Sequence, residues 1–447
     1  MIPRRHFGRS PGLATINWRA EAVPAGFDSS RSAILKQPVR ASSFFCGALL
    51  ALAAAPTQVT AEPAVGFGAG ANGGAGRPVV LVTTLADSHP SEAPIPGSLR
   101  AALDGGDRTV RFAVSGSIQL LHDLEVRHPH VTIDGSDAPK GGVALYGYTL
   151  VLQADDIVVR HLRFRGSHPS EQHDGLAIGG GRDVLIDHIS CSWATDECLS
   201  IYGYDYTGSG TVRNVTIQHS LIAEAPIATP YGMLIDGDVA EVTWYRNVFA
   251  KNANRNPQIT TGRRQSGGGD GGVELAGVGH YELLQNVVYD AIYATRIWNE
   301  SPTWTIDLDA IGNLWKPGPQ FPTPKVPIMV FSQPLSRGPI HVFAKDNADL
   351  ARGPTTTHDC DVFSLERPNA PCAGWLPGYA AGARQVTSHA LPAGRAADRL
   401  DEILGDAGAT LPCRDSADRR VVEEVRSGSG RPIRTPPPLP DLSQPCS

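Results

Sequence analysis

One short pattern recurs down the middle of the chain and narrows the possible fold more than any other feature. The strings IVVRHLRF (157–164), VLIDHISC (184–191), VTIQHSLI (215–222), VTWYRNVF (242–249), YELLQNVV (281–288) and LDAIGNLW (308–315) start 27, 31, 27, 39 and 27 residues apart. Each is rich in β-branched or aromatic residues and is bounded by turn formers, as a strand is. Asn247, Asn286 and Asn313 share one register position, as a stacked asparagine row inside a turn would. Companion strings GLAIGG (175–180), CLSIYG (198–203), GMLIDG (232–237) and GVELAG (272–277) fill the gaps. Each repeat thus carries at least two short strands joined by glycine-containing bends. A unit of that length cannot bury an apolar face alone, whereas stacked neighbours make a continuous core. The pattern predicts an all-β chain folded as a right-handed parallel β-helix. An antiparallel meander would show more two-residue hairpin turns.

The ends of such a solenoid need covering. Gly97–Leu103 (GSLRAAL) reads as a short helix with Ser98 as its N-cap, suited to the N-terminal end. Beyond about residue 350 the repeat fades into Pro-rich sequence such as RTPPPLPDLSQP (434–445), read as an extended tail packed on the solenoid. At the other terminus, Lys36 and Arg40 precede the apolar run SFFCGALLALAAA (43–55), and Val59-Thr60-Ala61 follows it. That is the order of a secretory signal peptide, and the run is short for a membrane span. The expected organisation is an export segment over 1–61, the β-helix over 62–350 and the Cys-containing tail over 351–447, in a secreted (extracellular or periplasmic) protein acting as a monomer.

Composition agrees with a turn-rich solenoid. There are 48 glycines among 447 residues and only 19% charged residues, below the roughly 25% of an average globular protein. Residues 1–61 hold seven Lys/Arg and two Asp/Glu of the chain's 39 and 45, so their removal moves the net charge from −6 to −11. An acidic chain is a poor partner for nucleic acid or an anionic membrane, and neither is expected. Six cysteines remain after residue 61. An even number in an exported chain suggests disulfides, with local pairs (360 with 372, 413 with 446) expected in the tail. Cys191 and Cys198 read either as a pair or as buried thiols.

Extra residues in a solenoid loop out on one face and mark function. The 31-residue repeat carries Tyr202–Gly210 and the 39-residue repeat carries Arg255–Gly272, with Arg255, Arg263 and Arg264 in an otherwise acidic chain.

At these residues the sequence resembles a known group. GFGAGANGG (66–74), GSLRAAL (97–103), LIDHISCSWATDE (185–197) and NVFAKNANRNP (247–257) are similar, in order, to the pectate lyase family, polysaccharide lyase family 1. The resemblance covers roughly 65–315 and is specific in combination. It implies a parallel β-helix enzyme that cleaves pectate, the acidic homogalacturonan of plants, by β-elimination, with calcium as cofactor. That reaction removes the C5 proton beside the C6 carboxylate and expels O4. A cation on the carboxylate stabilises the developing carbanion, and a base must lie within reach of C5.

The resemblance places the family's catalytic arginine, first in an Arg-x-Pro-x-x-Arg motif, at Arg255, with Thr260 where the second arginine would be. Arg263 or Arg264 is the candidate replacement for gripping substrate carboxylates. Tyr231 stands near the place of the family's substrate-binding lysine. Asp174 and Asp196 match two calcium-ligand positions, while Gln172 and Ser200 occupy the other two, and Glu197 is a further candidate ligand. Strand alternation would turn Glu197 away from Asp196. Asp187-His188 matches a family signature and reads as structural. Two other readings stay open: a secreted polysaccharide-binding β-helix without activity, and a polygalacturonase-type hydrolase using carboxylates such as Asp155, Asp156, Asp236 or Asp238.

Overall fold

The computed structural model describes residues 63–447 except 168–170, 205–209, 266–271, 326, 332–335, 352–362, 366–381, 387–388, 432 and 447. The export segment, Cys360, Cys372 and the centres of both insertions lie outside the described residues.

The chain winds as a parallel β-helix of three sheets. The first holds ten strands from Val79–Val82 to Ile340–Lys345. The second holds nine from Gly116–Gln119 to Ala348–Asp349, and the third nine from Leu124–Val126 to Phe363–Leu365. Strands in these sheets pair in parallel with those of the neighbouring coils, for example Val184–Asp187 with Val215–Gln218.

Each eight-residue string of the sequence is two strands rather than one. Gly181–Asp187 belongs to the first sheet and Ser190–Ser192 to the second, with a bend between them. His161, His188, His219, Arg246 and Gln285 take the bend position with φ near +50°, so one left-handed residue turns the chain without breaking its β-branched pattern. In the later coils the next residue of the bend is asparagine, and these residues form a ladder. The Asn247 amide donates to Asn286 at 3.1 Å, Asn286 to Asn313 at 3.1 Å and Asn313 to Asn347 at 2.9 Å.

Alternation sends Leu199 and Ile201 into the core and Ser200 and Tyr202 outward. The second sheet is apolar on its inner face and, from Leu221 onward, on much of its outer face, whereas Arg163, Arg165, Ser190 and Ser192 make the outer face of the earlier coils polar. Phe164, Cys191, Ile222 and Phe249 point inward, while Leu221, Ala223, Val248, Ala250 and Val287 form a separate outer cluster. That outer face is covered by the tail, which is in part helical. Helices Leu400–Asp406 and Ser416–Ser427 lay Ile403, Leu404, Val421, Val422 and Val425 on it. Asp415 caps the longer helix by accepting from the Asp418 N–H at 2.8 Å. The Cys413–Cys446 disulfide fastens the last residues.

The short helix Leu99–Ala102 is capped by Ser98, whose hydroxyl accepts from the Ala101 N–H, and its Leu99 and Ala102 join the core. No helix among the described residues is long and apolar enough to cross a membrane.

At the bend, Asp187-His188 makes a structural joint. His161, His188 and His219 stack at 4.8 and 4.9 Å between centroids. His188 Nδ1 donates to Asp187 at 2.8 Å and Nε2 to Asp406 at 3.1 Å, while His219 Nδ1 meets Asp406 at 2.7 Å. Asp406 ends the helix Leu400–Asp406, so two coils hold the tail through one carboxylate.

Candidate active site

The turns leading from the second sheet into the third stack one per coil. They present Asp174, then Asp196 and Glu197, then Tyr231, then Arg255. The strands that follow, Leu176–Ile178, Leu199–Gly203, Met233–Gly237 and Gln258–Thr261, are neighbours in that order. Coils are about 4.8 Å apart, so two coils, or roughly 10 Å, separate Arg255 from Glu197. The arginine side chain bridges that gap. Its guanidinium lies 3.8 Å from the centroid of the Tyr231 ring in the intervening coil, and Nη1 donates to Glu197 Oε1. Tyr231 is therefore the shelf under Arg255.

Asp196 and Glu197 lie between strands, after Ser192 and before Leu199. Alternation does not apply in a turn, and both carboxylates come together with Asp174. One oxygen from each of the three lies within 4.8 Å of the others. Asp174 is oriented by the Glu197 N–H at 3.1 Å and by the Ser200 hydroxyl. Ser200, expected from the resemblance at a calcium-ligand position, is engaged with Asp174. Gln172 is exposed to solvent.

The electrostatics follow from crowding. Burial, then the charge of Asp196, pushes Asp174 well above the usual carboxylate range, against the Ser200 hydrogen bond and Arg255. Burial also raises Asp196, opposed by Arg255 and His173. Burial lowers Arg255 to about 10; Asp196 opposes this, and the nearby Arg296 adds to it. A cluster of close carboxylates with one partly desolvated guanidinium can bind a cation and hold a base whose proton is loosened.

The remaining expected residues stand elsewhere. Arg263 and Arg264 begin a short antiparallel ribbon, Arg263–Gln265 with Gly272–Glu274. Arg264 Nε donates to Asp238 at 3.1 Å and Nη2 to Thr211 at 3.2 Å, so its fork is engaged by the protein. Burial raises Glu300, and the charge of nearby Arg263 opposes it. Neither is brought to the Arg255 cluster by a described contact. Thr260 is buried and accepts from Gln258 Nε2 at 3.3 Å.

Sequence reasoning missed Arg296. Its guanidinium lies 5.4 Å from the Trp298 ring and 5.0 Å from Phe331, and Nη1 donates to Asn254 at 3.3 Å. Only its strand register against Gln258 would have placed it beside the site.

No family model matches the chain. The chain is 40% identical over 215 residues to a probable pectate lyase C of Emericella nidulans, covering 47% of this chain and 48% of that protein. It is 39% identical over 214 residues to a probable pectate lyase C of Aspergillus fumigatus, covering 47% of each. The chain thus spans about half the length of these relatives. Among solved structures, a pectate lyase from Bacillus sp. N165 in complex with trigalacturonate superposes with a TM-score of 0.50 at 12% identity, over 77% of this chain and 98% of that one. That likeness shows the same fold.

Proposed function

We propose that the chain is a polysaccharide lyase that cleaves pectate by β-elimination, with Arg255 as the base that removes the C5 proton. The observation that carries this reading is the placement of Arg255. Its guanidinium is desolvated to a pKa of about 10, and it sits over Tyr231 beside Asp174, Asp196 and Glu197. An ordinary arginine stays protonated at neutral pH. Burial and Arg296 raise the neutral fraction here, and Glu197 is placed to hold the group in orientation. The sequence relatives named pectate lyase C support the reaction class.

The three carboxylates fit a hard divalent cation. They offer oxygen donors in one cluster, and burial together with mutual repulsion raises Asp174, as in a site short of positive charge. Asp174, Asp196 and Glu197 would hold calcium, with substrate carboxylates and water completing its shell. When bound it would neutralise the uronate beside C5. Arg296 stands next to Arg255 and is the better candidate for a substrate carboxylate than Arg264, which Asp238 engages.

Residues 62–350 form the catalytic unit in this reading and 351–447 a tail packed on it. Residues 1–61 direct export, and the secreted chain works alone on its acidic polysaccharide. The hydrolase reading is disfavoured by its carboxylates. Asp156 accepts from the Asn72 and Gly73 N–H groups, and Asp238 is ion-paired with Arg213 at 2.6 Å.

The test is ultraviolet absorbance from the C4–C5 double bond, measured on polygalacturonate and methylated pectin with calcium and with chelator. Wild type is expected to give the signal and Arg255→Ala to lose it. Reducing ends without absorbance would indicate hydrolysis. Binding without either product would indicate a polysaccharide-binding β-helix.

A further inference from the structure

Cys191 and Cys198 bracket the turn that carries Asp196 and Glu197, and both are completely buried in the solenoid core. Cys191 is the central residue of the strand Ser190–Ser192, and Cys198 directly precedes Leu199–Gly203. The Cys191 sulfur lies 3.1 Å from the Cys198 carbonyl oxygen.

The space around them is kept open by glycine. Gly175 lies beside Cys198 in the neighbouring coil, where the following Leu176 N–H donates to the Cys198 carbonyl at 3.1 Å. A Cβ on Gly175 would stand 2.7 Å from the Cys191 sulfur and 2.8 Å from the Cys198 oxygen. Any side chain there would displace the sulfur. Both cysteines stand as thiols in this structure, while Cys413 and Cys446 are joined. Conditions that form the latter bond are available to the former pair.

From this juxtaposition we propose that Cys191 and Cys198 form a second disulfide, which closes residues 191–198 into a loop and fixes the turn that presents Asp196 and Glu197. The bond itself stands on geometry, and its value to the site rests on the function proposed above. It forms by exchange with a low-molecular-weight or protein disulfide. One cysteine thiolate attacks that disulfide and releases the first thiol; the second cysteine thiolate then attacks the mixed disulfide and releases the other. The cysteine pair loses two electrons and two protons, and the oxidant leaves as two thiols. Burial raises the Cys191 thiol well above its ordinary range, so exchange belongs to the stage before the coil closes. Once made, the bond is sealed from reductant.

The test uses the full chain folded with oxidised glutathione, alkylated under denaturing conditions and cut on the N-terminal side of aspartate. This yields fragments 187–195 and 196–204, which nothing but the disulfide would hold together. A linked pair two hydrogens lighter than the sum is expected. Alkylated Cys191 and Cys198 on separate fragments would overturn the bond. The second measurement is amide exchange over 192–198 in Cys198→Ser, which leaves Cys413–Cys446 intact. Exchange roughly tenfold faster than wild type is expected for a turn released to local opening, and unchanged exchange would overturn the fixing role. Should the variant fail to fold, the fragment measurement on wild type still decides the bond. Neither readout uses turnover, so failure of the lyase reading leaves both interpretable.

Discussion

The ring of Tyr231 lies under the guanidinium of Arg255 at 3.8 Å, in the coil between Arg255 and its partner Glu197. An aromatic face attracts a cation by about 0.5–2 kcal/mol, more when water is excluded. Here the contact also fixes where a long, flexible side chain ends. Tyr231→Ala is expected to lower kcat by roughly 10- to 100-fold, because small misplacements of a reacting group are costly. Tyr231→Phe keeps the ring and is expected to stay within about threefold of wild type. Steady-state kinetics on polygalacturonate would measure both. Equal loss in the two variants would transfer the role from ring to hydroxyl.

The pH profile follows from Arg255. A base must be neutral to accept a proton, and burial brings Arg255 to about 10. At pH 7 about one molecule in a thousand then carries the neutral form. Activity should rise about tenfold per pH unit up to near 10 and then level. A profile that peaks near neutrality would remove Arg255 as the base.

The histidine joint predicts a different pH dependence, in stability. Burial works to lower His188, but hydrogen bonds to Asp187 and Asp406 overcome it and raise the group to about 9. Its contribution is fully present below the unfolded value near 6.5 and is lost as pH rises through 9. Asp406 is depressed by the hydrogen bonds of His188 and His219, against burial, so its contribution is lost as pH falls below the ordinary carboxylate range. Asp406→Asn should therefore lower the melting temperature at pH 6–7, by roughly 2–4 °C per kcal/mol lost. The difference from wild type should shrink above pH 9. A difference that is constant with pH would rule out the charged joint.

Asn286 is an internal rung of the ladder. Its side chain accepts from the Asn247 N–H at 3.0 Å and donates to the Trp244 carbonyl at 2.9 Å, with no exposure to water to replace them. Asn286→Ala leaves several buried groups unpaired and should cost about 2–4 kcal/mol, measured by denaturant unfolding. Asn286→Asp should not rescue, since the amide donor is lost and a charge is buried.

The repeat was readable because stacking imposes the same residue type at the same register, as at Asn247, Asn286 and Asn313. Three strands of the third sheet, Leu176–Ile178, Leu199–Gly203 and Met233–Gly237, appeared as companion strings, whereas the fourth string, GVELAG, falls in the antiparallel ribbon instead. The second sheet was hidden because its strands, such as Ser190–Ser192, follow the first after a bend of only two residues. The helix Ser416–Ser427 was missed because Pro-rich sequence around it set the expectation for the whole tail. Asp174, Asp196, Glu197, Tyr231 and Arg255 were legible from local motifs, and the structure brings them together. Arg263 and Arg264 stand out by their charge, their place in the insertion and the missing second arginine at Thr260, but sequence does not reveal that Asp238 takes the fork of Arg264. Arg296 has no local signal, since its place depends on register with Gln258 one coil away.

A site assembled from one turn per coil inherits a fixed ruler. Each wind of the chain advances by one strand spacing, about 4.8 Å. Arg255 reaches Glu197 because two winds match the length of an arginine, with Tyr231 as the stepping stone. Lengthening a turn leaves that ruler untouched, as the 31- and 39-residue repeats show. Adding or removing a whole wind between residues 198 and 255 would shift Arg255 by a full increment, past any side chain's ability to compensate. Change in this scaffold is therefore graded in its loops and quantised along its axis.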